Sequence, residues 1–245
     1  MGAGGLRRWM EDLAADVADL TLSRACVACG EIGSVLCSAC KVSLIRVHRH
    51  EIRPWGTPSP HQQAGSGPVV VASTYDGAAR RVIIAHKEHG VLGLTQVLGS
   101  MLAVSIAALG EGPFAVVPIP PHRDAVRRRG IDTLGAIADR ATGELRAAGW
   151  CANAVPLLRR RADGGRHVGR SAPERRAAVQ DTMAVDDRMI SRLVLGEGLI
   201  VVDDVVTTGA TVWEAVRTLW ASGLAVEGIA AVAGTERPAA SGMIN

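Results

Sequence analysis

Aromatic side chains are scarce in this chain of 245 residues, which has five Trp, one Tyr and one Phe. Proteins dedicated to single-stranded nucleic acid usually stack bases on aromatic residues that alternate with basic ones. The dense arginine runs at residues 123–129 and 159–170 contain no Phe, Trp or Tyr. The sequence therefore favours a small phosphorylated ligand for those arginines, while a weak contact with single-stranded DNA stays an open alternative.

Long hydrophobic runs are also lacking. No apolar run reaches the ~20 residues that a helix needs to span a bilayer, and the longest candidate, residues 91–109, is interrupted by Thr and Ser residues. The first residues, MGAGGLRRWMEDLAADVADL, alternate charged and apolar side chains at helical spacing, which is not the pattern of a secretory signal. We therefore expect a cytoplasmic protein that does not insert into a membrane.

The charge balance is nearly even overall but uneven along the chain. The formal net charge is +3, yet the segment from Arg123 to Arg176 holds 13 arginines, no lysine and only six acidic residues. A solvated surface explains any single arginine, but the guanidinium fork also suits phosphate oxygens. The segment thus indicates a polyanionic partner, either a diphosphate or a nucleic acid.

Short apolar segments alternate with helical patterns from Val69 onward. This alternation predicts an α/β fold with a mainly parallel, doubly wound sheet, in which ligands bind at the carboxyl ends of the strands. The predicted strands are residues 68–75, 114–119, 154–158, 199–202 and 225–234, and the predicted helices are residues 77–88, 94–109, 131–148 and 211–221.

The remaining segments divide the chain into four parts. Residues 1–45 form an appendage with an amphipathic helix at residues 6–22, because apolar side chains recur there every three or four positions. Residues 46–68, rich in Pro, Gly and His, are a linker. Residues 69–236 form the main domain, in which residues 159–170 are expected to be a mobile loop, and residues 237–245 form a tail.

Four cysteines stand close together in the sequence ACVACGEIGSVLCSAC. Cys26, Cys29, Cys37 and Cys40 form two CxxC pairs, which can offer four thiolates to one tetrahedral ion. Disulfides or unliganded thiols are the alternatives, and a cytoplasmic setting disfavours disulfides. The spacing predicts a structural zinc site with no position left for water. Cys151 stands alone, and we expect it to be buried or partly buried.

The segment LIVVDDVVTTGATVWEA, residues 199–215, carries the most specific signal for a ligand. An apolar strand delivers Asp203 and Asp204 to its carboxyl end, where carboxylates can accept hydrogen bonds from ribose hydroxyls. A turn at the start of a helix follows, and its N–H groups and hydroxyls can surround a phosphate. The turn consists of Thr207, Thr208, Gly209, Ala210 and Thr211.

Together these segments resemble the ComF family, competence-associated proteins with a type I phosphoribosyltransferase-like domain. VDDVVTTGAT resembles the loop by which such domains bind phosphoribosyl diphosphate (PRPP). The cysteine quartet, YDGAARRVIIAHKEHG (residues 75–90) and VVPIPPHRDAVRRRG (residues 116–130) resemble further ComF segments in the same order. The resemblance extends over nearly the whole chain, from about Cys26 to Thr235.

The resemblance implies a fold, a ligand and a set of roles. A sheet of the type I phosphoribosyltransferase kind would bind PRPP or another ribose 5-phosphate compound, with Asp203 and Asp204 as the catalytic pair orienting the ribose. Arg127, Arg129 and Lys87 would neutralise the diphosphate together with Mg²⁺. The family also implies a link to competence and DNA uptake, or to nucleotide metabolism, and partners among DNA-processing proteins.

Three places depart from the family pattern and keep a second hypothesis open. The chain has RGIDT at residues 129–133, His167 where a Gln is usual, and Ala178 where an Asn is expected. The first hypothesis is an active phosphoribosyltransferase. The alternative is a catalytically silent module of the same fold that acts through protein or single-stranded DNA partners.

Overall fold

The structure is a computed structural model, and it describes residues 25–49, 67–161, 182–194 and 196–235. A six-stranded sheet dominates these residues. Its strands are β1 (His48–Arg49), β2 (Val69–Thr74), β3 (Pro113–Pro118), β4 (Cys151–Ala154), β7 (Gly198–Val206) and β8 (Val226–Gly234). Two further strands, β5 (Leu158–Arg160) and β6 (Met183–Val185), form a separate antiparallel pair.

The strand order across the large sheet is β1-β2-β8-β7-β3-β4. Strands β2, β8, β7, β3 and β4 are all parallel, and only the edge strand β1 runs antiparallel to its neighbour. The central strand β7 is fully buried from Gly198 to Val202. Such uninterrupted apolar strands are typical of parallel sheets that are covered on both faces.

Helices connect the strands and cover the sheet. They are α1 (Ser38–Leu44), α2 (Gly77–His89), α3 (Thr95–Ala107), α4 (Arg123–Arg129), α5 (Thr133–Ala147), α6 (Asp187–Ile190) and α7 (Ala210–Ala221). A 3-10 turn at Leu92–Leu94 leads into α3. None of the helices in the described ranges combines the length and the hydrophobicity needed to cross a bilayer.

Helices pack on opposite faces of the sheet around two apolar cores. One core joins Ile137 of α5 to Val116 and Ile200, and it also contains side chains of α2 and α3. The other core joins Val216 of α7 to Val201 and the neighbouring strands. Because successive residues of a strand point to opposite faces, the two cores lie on the two sides of one sheet.

The neighbouring strands β3 and β7 lead to helices on opposite faces. After β3 the chain passes through α5, and after β7 it passes through α7. In a parallel sheet such a reversal opens a crevice beyond the carboxyl ends of the two strands, and ligands bind there preferentially. We call the space beyond the carboxyl ends of β3 and β7 the crevice.

The cysteine knuckle, residues 25–45, packs on the same side of the sheet as α2. Leu36 and Leu44 are almost fully buried in a core that also contains Val82 and Ile83 of α2. Beyond the knuckle, Arg46 N–H donates to the carbonyl of Ala72 at 2.7 Å, which continues the attachment to the edge of the sheet.

The prediction of an α/β fold with a mainly parallel sheet is confirmed. The helices predicted at residues 77–88, 94–109, 131–148 and 211–221 correspond to α2, α3, α5 and α7, and four of the predicted strands correspond to β2, β3, β7 and β8. The helix predicted at residues 6–22 and the tail at residues 237–245 lie outside the described residues.

Two predictions near residue 158 are wrong. Only the ends of the strand predicted at residues 154–158 lie in strands: Ala154 ends β4, which begins earlier at Cys151, and Leu158 begins β5, so residues 155–157 are the connection between them. Arg159 and Arg160, expected in a mobile loop, belong to β5 and pair with Ala184 and Met183 of β6. The stretch expected to be a linker also contains β1, which pairs with Val70 and Val71 of β2. Neither pairing has a local signal, because the partner strands are distant in the sequence.

Candidate functional site

The four cysteines of the knuckle come together as the sequence predicts. One sulfur atom from each of Cys26, Cys29, Cys37 and Cys40 lies within 4.8 Å of all the others. A tight turn that ends at Gly30, with a positive φ of 84°, brings Cys26 and Cys29 together, and Cys37 and Cys40 lie at the start of α1. Cys29 Sγ and Cys37 Sγ are 3.7 Å apart. A tetrahedral zinc ion with bonds of about 2.3 Å holds its sulfur ligands about 3.8 Å apart, so the cluster can hold zinc.

The electrostatics of the cluster also fit a cation. Burial raises the pKa of the Cys26 thiol, but backbone N–H groups, the first being that of Cys37, outweigh burial and lower the pKa to about 6. The neighbouring thiols of Cys37 and Cys29 raise the pKa of Cys40 to about 12. Sulfur atoms this close cannot all ionise near neutral pH unless a positive ion compensates them.

Cys151 differs from the expectation and from the quartet. It is exposed at the start of β4 and has no part in the cluster. The sequence could not show this, because a lone cysteine carries no periodic signal for burial.

The two aspartates lie inside β7 and not after it. Strand β3 pairs with β7 only as far as Pro118, opposite Val202, and Ile119 N–H then donates to the Val202 carbonyl at 3.1 Å. β7 continues along β8 as far as Val206. Asp203 and Asp204 therefore stand where β7 passes the end of β3, at the crevice.

Lys87 and Asp204 form an ion pair. Lys87 Nζ lies 2.6 Å from Asp204 Oδ2, and the two side chains are 39% and 11% exposed. Lys87 belongs to the last turn of α2, which ends at the left-handed Gly90. The structure thus joins two residues that the sequence indicates separately as ligand-binding, without indicating a contact between them.

Asp203 is held in an unusual electrostatic environment. Its Oδ1 accepts a hydrogen bond from the backbone N–H of Asp204 at 2.9 Å. Burial, and after it the negative charge of Asp204, raises the pKa of Asp203 to about 8, against the opposing effect of Lys87. Asp203 therefore holds a proton near neutral pH and can donate as well as accept a hydrogen bond.

Arg160 reaches the same crevice from β5. Its Nε donates to the carbonyl of Pro120, in the turn after β3, at 3.1 Å. Burial lowers the pKa of the Arg160 guanidinium, and the negative charges of Asp203 and Glu214 act in the opposite direction. Burial, followed by the positive charge of Arg160, also lowers the pKa of His122. These groups share one electrostatic environment around the end of β3.

Glu214 adds a buried negative charge behind the crevice. It lies on α7 with only 4% of its surface exposed, and its carboxylate accepts two hydrogen bonds from Arg217, at 2.8 and 2.9 Å. This two-point contact compensates the charge that α7 buries. Neither Arg160 nor Glu214 was expected at the site from the sequence. The only signal for Arg160 was its place in the run Arg159 to Arg161, which looked like a loop.

The turn at residues 207–211 is open to solvent. Thr207 and Thr208 are exposed, whereas Gly209 is buried and caps α7 in a left-handed conformation with φ of 79°. Ala210 N–H donates to Thr208 Oγ1 at 3.4 Å, and Thr235 N–H donates to the Val206 carbonyl at 3.0 Å. The first N–H groups of a helix have no partner within the helix, so the start of α7 favours an anion.

The remaining predicted residues lie close to this turn or outside the description. Ala210 and Thr211 begin α7 and are partly exposed. Arg127 lies on α4 and is exposed. Arg129 is the last residue of α4, and its side chain falls outside the described part of the structure, as do His167 and Ala178.

A groove of about 490 Å³ opens between the turn after β3 and strand β5. We call it the arginine groove. Prolines, aliphatic side chains and arginines line it: Pro120, Pro121, Val126, Arg127, Leu158, Arg159 and Arg160. No acidic side chain is among these lining residues, so the described walls of the groove favour an anion.

Comparison of the chain with models of known protein families gives no match, and comparison with curated proteins gives none either.

Proposed function

We propose that this chain is a phosphoribosyltransferase-like protein of the ComF family that binds PRPP or a related ribose 5-phosphate compound in the crevice. One observation carries the proposal: the solvent-exposed Thr207 and Thr208 turn begins α7 directly after the strand that presents Asp203 and Asp204. A site that favours an anion therefore lies a few residues from two carboxyl groups that can form hydrogen bonds with the hydroxyls of a sugar. The segment resemblance and the position at the reversal between β3 and β7 support the same conclusion.

Each residue has a role that follows from its chemistry. The N–H groups and hydroxyls at residues 207–211 surround the 5′-phosphate. Asp203 and Asp204 take the ribose hydroxyls, and Asp203 can act as donor or acceptor because its pKa is raised. Lys87, which neutralises Asp204 in this structure, provides positive charge for a diphosphate together with Arg127 and Arg129. Mg²⁺, bound by the diphosphate oxygens, would supply further charge neutralisation.

In an active enzyme the transfer follows from this placement. A nitrogen lone pair of the acceptor forms a bond to C1 of the ribose while the bond from C1 to the diphosphate oxygen breaks. The diphosphate leaves with the electron pair, and the acceptor nitrogen releases its proton to solvent. The side chains need only position the reactants and compensate charge, so no protein nucleophile is required.

One observation favours the silent alternative, in which the chain binds the ligand without turning it over. Asp132 and Thr133 occupy positions where the family usually has other polar residues. Asp132 Oδ1 accepts the N–H of Gly135 at 3.0 Å and caps α5, and Thr133 is 8% exposed. Both residues thus serve the start of a helix. In this alternative the protein acts in DNA uptake or processing through protein or single-stranded DNA partners.

Calorimetry with ribose 5-phosphate, and with PRPP and Mg²⁺, tests the proposal. We expect binding to the wild type, and a loss of about tenfold or more in the Asp203→Asn/Asp204→Asn double variant, because hydrogen bonds to charged groups contribute about 1.5–3 kcal/mol. Glu111→Gln is the matched control, since it changes an exposed carboxyl group before the amino end of β3. Equal affinity of the double variant and the control would contradict the proposal.

A diphosphate-release assay on the same samples separates the two hypotheses. Release with any member of a panel of nucleobases and amines identifies a transferase. Thermal stabilisation by PRPP without release identifies the silent module. A steep fall of single-stranded DNA affinity with salt would indicate a direct role for the arginines in nucleic-acid binding.

A further inference from the structure

The arginine groove has two kinds of wall. Pro120, Pro121, Val126 and Leu158 provide apolar surface, while Arg127, Arg159 and Arg160 provide positive charge. Its volume of about 490 Å³ falls within the usual range for small-molecule sites, which is about 300–1,000 Å³. A phosphate or diphosphate alone has no use for the apolar walls. The combination suits a flat organic molecule that carries an anionic group.

Strand β5 holds one wall of the groove in place. Leu158, Arg159 and Arg160 are fixed by pairing with β6, and Arg160 is held further by its hydrogen bond to the Pro120 carbonyl. Within the described residues no ion pair joins Arg127 or Arg159 to an acidic side chain. The walls are therefore preorganised, and their charge remains for a ligand.

The groove adjoins the crevice through Arg160. Arg160 lines the groove, and its guanidinium contacts the turn after β3 and experiences the charge of Asp203. A molecule in the groove thus lies next to the side chains assigned above to the ribose. This is the position that the acceptor of a phosphoribosyl group must take.

We propose that the β5 wall of the arginine groove binds the acceptor, and that this acceptor is a planar molecule with a carboxylate. Its ring packs against the prolines, and its carboxylate binds Arg160, whose fork matches the two carboxylate oxygens, while the exposed Arg159 at the rim of the groove adds positive charge. The acceptor role rests on the proposed function, whereas the preference for planar carboxylates can be measured independently of it.

The experiment uses matched pairs of probes that differ in one anionic group. Benzoate is compared with benzamide, nicotinate with nicotinamide, and orotate with uracil, by calorimetry or by ligand-observed NMR with the full chain. We expect the carboxylate of at least one pair to bind about tenfold more tightly than its uncharged counterpart, as for a charge-assisted hydrogen bond. Arg159→Gln and Arg160→Gln should each reduce that preference severalfold.

Arg161→Gln is the control, because Arg161 is the next exposed arginine and does not line the groove. It should leave every affinity unchanged. A carboxylate preference that is absent in all pairs, or that survives in both Arg159→Gln and Arg160→Gln, would overturn the proposal. An equal loss in Arg161→Gln would attribute the preference to general positive charge, which also overturns it.

Two further arms separate the sources of a positive result. Magnesium pyrophosphate is titrated as the first of them. If it binds more tightly than every carboxylate, and if its affinity falls in Arg159→Gln and Arg160→Gln, the groove binds the diphosphate leaving group and the proposal fails. Ribose 5-phosphate is titrated in parallel. If it does not bind while the carboxylate preference holds, the proposed function fails and the planar-anion site stands without its acceptor role.

Discussion

The cysteine knuckle and the crevice are built in opposite ways. The knuckle takes all four of its chemically active side chains from one short stretch of chain, and they share one chemistry. The crevice combines Lys87 from α2, Arg160 from β5 and the aspartates from β7, so its charges alternate in sign and come from distant parts of the chain. A cluster of thiols can balance several thiolate charges only with an external cation, whereas the crevice contains charges of both signs.

This difference leads to different sensitivities. Loss of one cysteine removes a ligand that nothing else replaces, so the knuckle should fail as a unit. Loss of one charged side chain in the crevice leaves other charged side chains and solvent, which can partly compensate the charge that remains. The predictions below probe this contrast, from the largest expected effect to the smallest.

Cys26→Ser should have the largest effect. Cys26 is buried and is one of four sulfurs that can hold zinc, so we expect elemental analysis to find zinc in the wild type and to find little or none in the variant. We expect a fall of about 10 °C or more in the Tm, since structural zinc contributes many kcal/mol to folding. Cys151→Ser, at an exposed cysteine outside the cluster, should keep both zinc and Tm. Full zinc content in Cys26→Ser would break the comparison.

Leu44→Ala tests whether the knuckle is part of the main core. Leu44 is 1% exposed and shares a core with α2, so its truncation should reduce the free energy of unfolding by about 2–5 kcal/mol in a denaturant titration. Val42→Ala, two residues earlier and 81% exposed, should change it by less than about 0.5 kcal/mol. Similar values for the two variants would show that the knuckle packs loosely.

The pH dependence of stability tests the charge of the crevice. The pKa of Asp203 is about 8 in the folded chain, against about 3.9 for an exposed Asp, so between these values the folded protein holds a proton that the unfolded chain has lost. The contribution of Asp203 to stability therefore falls as the pH rises from about 4 to about 8 and is constant above that.

Asp203→Asn removes this titration. In thermal unfolding at about pH 5, 7 and 9, the Tm of the variant should rise relative to the Tm of the wild type as the pH increases from about 4 to about 8. Parallel curves for the two proteins across the series would refute the raised pKa of Asp203.

Lys87→Met should have the smallest effect on stability. Lys87 is 39% exposed, so solvent screens its ion pair with Asp204, and we expect a loss below about 1 kcal/mol in the free energy of unfolding. Lys41→Met, an exposed lysine on α1 of the knuckle, should have almost none. A loss for Lys87→Met as large as that of Leu44→Ala would mean that the crevice, like the knuckle, depends on single side chains.

Local patterns account for what the sequence could predict. The spacing of Cys26, Cys29, Cys37 and Cys40 is itself the geometry of a metal site, and the structure gathers these sulfurs as expected. The apolar periodicity of α2, α3, α5 and α7 likewise depends on neighbours three and four positions away. Both signals are contained in short stretches of chain.

Contacts between segments that are distant in the chain account for the features that the sequence could not predict. The end of β7 was expected at Val202 because the apolar run stops there, but pairing of Val206 with Gly234 of β8 carries the strand further. Arg160 looked like a loop residue because its partner strand β6 begins at Met183, much later in the chain. The pairing of Lys87 with Asp204 also joins elements that no local pattern relates.

Strand β1 gives the knuckle an influence on how the protein associates. His48 and Arg49 pair with Val71 and Val70, so the chain that leaves the knuckle covers part of the outer edge of β2. An uncovered edge of valine-rich strand offers its backbone groups to any other strand and promotes self-association. If the loss of a bound ion loosens the knuckle, we expect this edge to become exposed and copies of the chain to associate through it, so that a zinc ion in the knuckle would oppose aggregation at a place far from the crevice.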